Sequence, residues 1–266
     1  MVQISKELAA ELIEVAEALA DAARLATLQH FRAAGLSADN KETDRFDPVT
    51  VADHLSEQMM REILALRRPN DGILGEEFGT TAGTSGLTWV LDPIDGTRSF
   101  LAGTPTWGVL IAVSDENGPI YGLIDQPYIG ERFAGGLGRA DLRGPMGLRQ
   151  LKTRAPRPLS EAILFTTFPE VGTPEDGAAF NRVKAQARLT RYGTDCYAYG
   201  LIAAGQIDLV IEAGLLAYDV QGPIAVIEAA GLRVSDFLAN DGLTKGNPII
   251  AGVPEVYEEL VRISKL

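Results

Sequence analysis

The stretch Trp89-Val90-Leu91-Asp92-Pro93-Ile94-Asp95-Gly96-Thr97 decides how the rest of the chain is read. An apolar run leads straight into two aspartates three positions apart, followed by Gly-Thr. The run has the make-up of a buried strand, and the ends of such strands are where functional groups are commonly placed. Pro93 has no N–H to give a neighbouring strand, so the strand is expected to stop there. Gly96 lets the backbone approach a ligand closely. A helix beginning near Thr97 would point its free N–H groups at whatever the aspartates hold, which makes a phosphate cradle beside a metal site. Taken singly, Asp95 or Thr97 reads as a capping residue in a turn.

Three more acids stand in similar settings. Gly75-Glu76-Glu77 follows the short strand-like pair Ile73-Leu74, Thr50-Val51-Ala52-Asp53 opens a helical pattern, and Tyr218-Asp219-Val220 precedes an apolar helix. Each has a plainer explanation: Asp53 and Asp219 as helix caps, Glu76 as a surface turn residue. Together they favour a carboxylate cluster. Such a cluster suits Mg²⁺, which takes a few carboxylates, waters and substrate phosphate oxygens.

The surrounding pattern is mixed. Residues 4–34 carry Leu8, Leu12, Val15, Leu19, Ala22 and Ala26 at helical spacing, with Gly35 as a stop, and a second amphipathic helix is expected from Thr50 or Val51 to Leu66. Strand-like runs follow at 73–74, 88–91, 109–113, 120–124 and 132–134, punctuated as in a largely antiparallel sheet. Beyond the Pro-rich residues 155–158 the pattern alternates. Strands are expected at 162–166 and 209–211, and helices near 177–187, 195–204, 221–230 and 255–263. This divides the chain into an N-terminal α+β half, residues 1–150, with the metal and phosphate site. Residues 151–266 form a C-terminal α/β half with the substrate-recognition site.

The 266 residues suffice for a substantial core. A net charge of −12 argues against nucleic acid and anionic membranes as partners. An acidic protein that handles an anionic substrate needs its local field inverted, which a metal ion does. The single cysteine, Cys196, excludes an intrachain disulfide and fits a reducing compartment. Glu7, Glu11, Glu14 and Asp21 interrupt the first apolar stretch, unlike a signal peptide, and no apolar run would span a bilayer, so a cytoplasmic location is expected. His30 and His54 fall in helices, away from any Ser-His-Asp order, and read as structural or surface residues. Cys196 reads as a small buried side chain.

The segments Asp47-Pro48-Val49-Thr50-Val51-Ala52-Asp53, Gly75-Glu76-Glu77, Asp92-Pro93-Ile94-Asp95-Gly96-Thr97 and Tyr218-Asp219-Val220 resemble, in order and spacing, the inositol monophosphatase superfamily. The resemblance runs from about residue 45 to 231. It implies a layered α/β/α/β/α fold, a homodimer, and two or three Mg²⁺ ions acting on a small soluble phosphomonoester. It implies that Glu76, Asp92 and the Ile94 carbonyl bind the first ion, and Asp92, Asp95 and Asp219 the second. A third would lie between Glu76 and Asp53. The backbone N–H groups of Gly96 and Thr97 would hold phosphate, and the Thr97 hydroxyl, linked to Asp53, would orient and deprotonate the attacking water. Glu76 is placed in the same catalytic group, and lithium sensitivity is implied as well. The physics agrees: paired metal ions can activate a water on one side and stabilise the leaving oxygen on the other.

The second half bears on substrate. Gly193-Thr194-Asp195-Cys196-Tyr197, the run from Ile207 to Gly214 ending its strand in Glu212, Ile124-Asp125-Gln126-Pro127 and Gly130-Glu131-Arg132 look like the histidinol-phosphatase branch of that superfamily. Inositol-specific members usually have a small residue in place of Asp195. On this reading Gly193, Thr194, Asp195 and Glu212, with Asp95 and Asp219, contact substrate. Carboxylates facing the leaving group suit the ammonium and imidazole of histidinol better than the neutral hydroxyls of inositol. Asp195 also reads as a helix N-cap, and Glu212 as a carboxylate behind the metal ligands. The chain departs from the family pattern in having one glycine at Ala230-Gly231-Leu232, in leaving Lys41 as the candidate basic loop residue, and in residues 237–246. Turnover of inositol phosphate, a sugar phosphate or a phosphorylated nucleotide stays open, as does an inactive binding homologue. The filled ligand positions argue against the latter. A Mg²⁺-dependent nuclease is disfavoured by the acidic charge.

Overall fold

A computed structural model of the protein describes residues 3–40, 48–155, 157–235, 249–252 and 262. Lys41, Asp47, residues 237–246 and all but Arg262 of the helix expected at 255–263 lie outside these residues.

The first helix, α1 (Lys6–His30), begins where the Ser5 hydroxyl accepts from the Leu8 N–H, and it buries Leu12, Val15, Ala16, Leu19 and Ala23. It ends earlier than the apolar spacing predicts, because Arg32 takes a left-handed φ of 60°. After the short pair β1 (Asp39–Asn40) and β2 (Pro48–Val49), helix α2 (Val51–Arg67) packs beside α1. Both helices cover one face of an eight-stranded sheet. Its strands are β3 (Gly72–Gly75), β4 (Gly79–Thr81), β5 (Thr88–Asp95), β6 (Gly108–Asp115), β7 (Gly118–Gln126), β8 (Glu131–Gly136), β9 (Arg139–Gly144) and β10 (Gly147–Gln150). Their order is β10-β9-β8-β7-β6-β5-β3-β4, and only β3–β5 is parallel. The largely antiparallel sheet read from the punctuation is therefore present. Charge fastens α1 to it: Arg24 and Arg132 both reach the fully buried carboxylate of Asp125, at 2.6 and 2.7 Å.

The strand β5 does not stop at Pro93. It continues to Asp95, and the register with β6 jumps from Asp92↔Leu110 to Asp95↔Gly108. Pro93 and Ile94 fall in this irregularity, where a missing N–H breaks no ladder bond. The six-residue helix α3 (Thr97–Ala102) follows at the expected place, between left-handed Gly96 and Gly103.

The second sheet is formed by β11 (Ile163–Thr166), β12 (Leu189–Tyr192), β13 (Leu209–Glu212), β14 (Arg233–Ser235) and β15 (Ile249–Gly252), in the order β12-β11-β13-β15-β14. The helices α5 (Tyr197–Ala203) and α6 (Ala217–Ala229) lie against the other face of the first sheet, and both also reach strands of the second. The helix α4 (Pro174–Lys184) adds Phe180 and Val183 to the core that holds Leu164, Leu209 and Ile211. The result is the α/β/α/β/α layering. Two glycines set the depth of α6. A Cβ on Gly122 would lie 2.3 Å from the Gly222 carbonyl oxygen, and one on Gly135 would lie 2.4 Å from the Val226 Cα. Backbone therefore packs on backbone there. Among the described residues no helix is long and apolar enough to cross a membrane.

Candidate active site

The parallel pairing of β3 with β5 matches Gly75 with Leu91, so Glu76 emerges beside Asp92. The Glu76 N–H donates to the Leu91 carbonyl at 3.1 Å. The Glu76-Glu77 turn is held from α2. Buried Glu57 accepts from the Glu77 N–H at 2.7 Å, the Phe78 N–H at 3.2 Å and Arg61 Nε at 2.7 Å. Gly75 makes room for it, since a Cβ there would lie 1.9 Å from Glu57 Oε1. Glu57 escaped the sequence reading. Its signal is an acid one helical turn beyond Asp53, on the face of α2 that packs on the protein.

At the end of β5, Asp92 Oδ1 accepts from the Ile94 N–H at 3.0 Å, and the Thr97 hydroxyl donates to the Ile94 carbonyl at 3.1 Å. From the far side of the sheet, α6 presents Asp219 in its first turn, where Oδ2 accepts from the Leu216 N–H at 2.6 Å. One oxygen each of Asp92, Asp95 and Asp219 thus lie within 4.8 Å of one another. Burial pushes the Asp92 carboxyl well above its usual range, and the charges of Glu76, Asp95 and Asp219 push it the same way. Burial also raises Asp95, aided by Asp195 and Asp219 and opposed by the Cys196 N–H, which donates to Asp95 Oδ2 at 2.7 Å. Carboxylates crowded this way are at ease only with protons or a cation among them.

Asp53 is buried in the first turn of α2, where Oδ2 accepts from the Thr50 N–H at 2.8 Å and the Thr50 hydroxyl at 2.6 Å. Asp53 and Asp219 therefore do cap their helices, each through Oδ2. The plain reading and the functional one are compatible, because a carboxylate has a second oxygen to give.

Asp195 is different. The helix α5 begins at Tyr197 after Cys196, with no side-chain cap. The Asp195 carboxylate instead turns toward α3, where Oδ2 accepts from the Ser99 hydroxyl at 2.6 Å and the Thr106 hydroxyl at 2.7 Å. Its φ of 45° is left-handed, a strain of roughly 1–2 kcal/mol that aspartate bears better than most residues. It lies on Gly96, whose φ of 82° already favours glycine. A Cβ on Gly96 would stand 2.7 Å from the Asp195 carboxyl carbon. Gly193, at φ 76°, and Thr194, whose buried hydroxyl finds no hydrogen-bond partner among the described residues, lead into this turn.

Glu212 ends β13 nearby, with Oε1 accepting from the Thr167 N–H at 2.7 Å and the Thr167 hydroxyl at 2.9 Å. Burial pushes its carboxyl up to about 8. The Thr167 hydrogen bonds oppose the rise, and the charges of Asp95 and Asp195 add to it. Tyr199 is buried within the field of Glu212, Asp95 and Asp219, and its hydroxyl has no hydrogen-bond partner among the described residues.

Residues 8–265 match the profile of the inositol monophosphatase family. The chain belongs to that family. The chloroplastic bifunctional phosphatase IMPL2 of Arabidopsis thaliana is 38% identical over 92% of this chain and 72% of its own length. A histidinol-phosphatase of Streptomyces coelicolor is 32% identical, covering 94% of this chain and 95% of its own. An inositol monophosphatase structure from Zymomonas mobilis superposes with a TM-score of 0.82 at 36% identity, over 96% of this chain and 97% of that one. The protein is thus an inositol monophosphatase-family phosphatase, and its relatives carry both the inositol and the histidinol names. Members of this family depend on a metal ion, generally Mg²⁺.

Proposed function

We propose that this phosphatase hydrolyses histidinol phosphate to histidinol and phosphate, using Mg²⁺. The observation that carries the substrate reading is the placement of Asp195. Its carboxylate is not spent on a helix cap. It lies on Gly96, beside the proposed phosphate cradle, where a cationic leaving group would meet it. Glu212 and the Tyr199 hydroxyl extend the polar lining.

The donor set fits Mg²⁺. It is all oxygen, it is crowded enough to need a cation, and the buried Tyr199 hydroxyl in its field has no hydrogen-bond partner among the described residues. Glu76, Asp92 and the Ile94 carbonyl would hold a first ion and Asp92, Asp95 and Asp219 a second, with a third between Glu76 and Asp53. Bound Mg²⁺ supplies Lewis acidity to the phosphate oxygens and acidifies a water. The Gly96 and Thr97 N–H groups, at the start of α3, bind the phosphate. In this structure the Thr97 hydroxyl donates to the Ile94 carbonyl; to act on the attacking water it would turn to Asp53, pass its own proton to that carboxylate and take one from the water. The water oxygen bonds to phosphorus as the bond to the ester oxygen breaks, and the leaving alkoxide takes a proton from a second water, which is made good by the proton given up by the first. No side chain becomes phosphorylated. We propose a homodimer and lithium sensitivity on the family resemblance.

The test is phosphate release with Mg²⁺ from histidinol phosphate and inositol 1-phosphate side by side. A strong preference for the first is expected. A preference for inositol phosphate would overturn the substrate reading and leave the metal centre standing.

A further inference from the structure

We infer that Ser99 and Thr106 are positioning residues for substrate selection: by donating to one oxygen of Asp195 they fix the other toward the amine of the leaving group. The inference rests on the histidinol phosphate reading. The two hydroxyls come from neighbouring stretches of chain, Ser99 from within α3 and Thr106 from the loop that follows it. Both take Asp195 Oδ2, at 2.6 and 2.7 Å. A carboxylate held at one oxygen by two donors cannot rotate about its Cβ–Cγ bond without breaking both. Oδ1 is the oxygen left over, and it would stand 3.1 Å from a Cβ on Gly96, close to the proposed phosphate cradle.

The helix that carries the cradle at its first residues thus also carries Ser99. The separation between bound phosphate and the selecting carboxylate is set by a single turn of backbone. An amine attached close to the ester oxygen suits that short span, and an electrically neutral polyol gains nothing from it.

The turn itself has other anchors. The Cys196 N–H donates to Asp95 at 2.7 Å, Gln126 Nε2 donates to Cys196 Sγ at 3.4 Å, and the Tyr197 hydroxyl donates to Glu131 at 2.8 Å. Removing the Ser99 and Thr106 hydroxyls therefore frees the Asp195 side chain while the chain around it stays tied.

The experiment measures kcat/KM for histidinol phosphate and for inositol 1-phosphate in the Ser99→Ala/Thr106→Val double variant, in Ser99→Thr and Thr106→Ser, and in Asp195→Ala. The double variant should lower the histidinol-to-inositol ratio about tenfold, chiefly through KM for histidinol phosphate. The hydroxyl-keeping variants should restore the ratio. An equal loss on both substrates in the double variant would make the hydroxyls simple braces and overturn the inference. So would an unchanged ratio there while Asp195→Ala lowers it. An unchanged ratio in Asp195→Ala itself would remove Asp195 from substrate selection and the inference with it, whereas a wild-type preference for inositol 1-phosphate would overturn the histidinol reading.

Discussion

Replacing Gly96 by alanine puts one methyl group where two constraints meet. The residue sits at φ 82°, where an L-residue is strained by roughly 1–2 kcal/mol. The new Cβ would also stand 2.7 Å from the Asp195 carboxyl carbon and 2.9 Å from its Cβ, well inside contact distance. Asp195 cannot retreat freely, because Ser99 and Thr106 hold its carboxylate and the Cys196 N–H is tied to Asp95. Overpacking of this kind costs about 1–3 kcal/mol. Gly96→Ala should therefore lose about 2–5 kcal/mol of folding stability. Turnover should fall about a hundredfold, because α3 shifts by a fraction of its width under the phosphate. Urea unfolding and steady-state kinetics read the two effects. The steric share is isolated by repeating the substitution in Asp195→Gly. With both carboxylate and Cβ gone, only the left-handed strain remains, and the cost should drop to about 1–2 kcal/mol. Equal losses in the two backgrounds would refute the claim that Asp195 lies on Gly96.

Asp92→Asn should nearly abolish phosphate release while the fold is kept, as circular dichroism would show; near-normal turnover would remove Asp92 from the metal centre. Glu57→Ala should free the Glu76-Glu77 turn, raise the Mg²⁺ concentration needed for half-maximal activity about tenfold, and destabilise the protein through the partners left at Arg61 and two backbone N–H groups; an unchanged Mg²⁺ requirement would make Glu57 a stability residue alone. With chelator present, stability should fall between about pH 5 and pH 8. Buried Glu212 keeps its proton up to about pH 8, whereas the unfolded chain gives it up near its ordinary value of 4.5. The unfolded state binds fewer protons across that window, and this one group contributes a slope of up to about 1.4 kcal/mol per pH unit. Glu212→Gln should make the profile shallower, leaving the slope that buried Asp92 and Asp95 contribute, and a slope unaltered by that change would show the carboxyl ionised throughout.

The metal-bearing core of the fold was legible because it is local in sequence. Trp89 to Thr97 carries its own strand, irregularity and helix start, and Glu76 and Asp219 sit in short strings of the same kind. Pro93 misled only about where β5 ends, since a register jump absorbs a residue that cannot donate. The polar hairpin β9–β10 was missed because its apolar alternation is too short to stand out, Ala140 and Leu142 in one strand and the exposed Leu148 alone in the other. The role of Asp195 could not be read from its neighbours. Its hydroxyl donors lie 96 and 89 residues away, and a cap and a cross-chain acceptor look alike in sequence. The strings around Asp125 and Glu131 gained a physical meaning only in three dimensions, Asp125 as the buried anchor for α1 and Gln126 and Glu131 as stays for the turn at Cys196 and Tyr197.

The glycine seam under α6 has a consequence for how this centre tolerates change. Where Gly122 and Gly135 meet the helix, its main chain and the Ala225 methyl are what lies nearest, so the height of Asp219 over the other carboxylates is set almost wholly by backbone. Cushions made of side chains settle into new rotamers when a neighbour is altered, but two backbones in contact have no such slack. A single methyl group at either glycine would lift the whole helix and carry Asp219 with it. The seam works as a machinist's datum surface: the sites where an innocuous-looking replacement most alters ion affinity are two plain glycines, one in the middle of β7 and one near the end of β8.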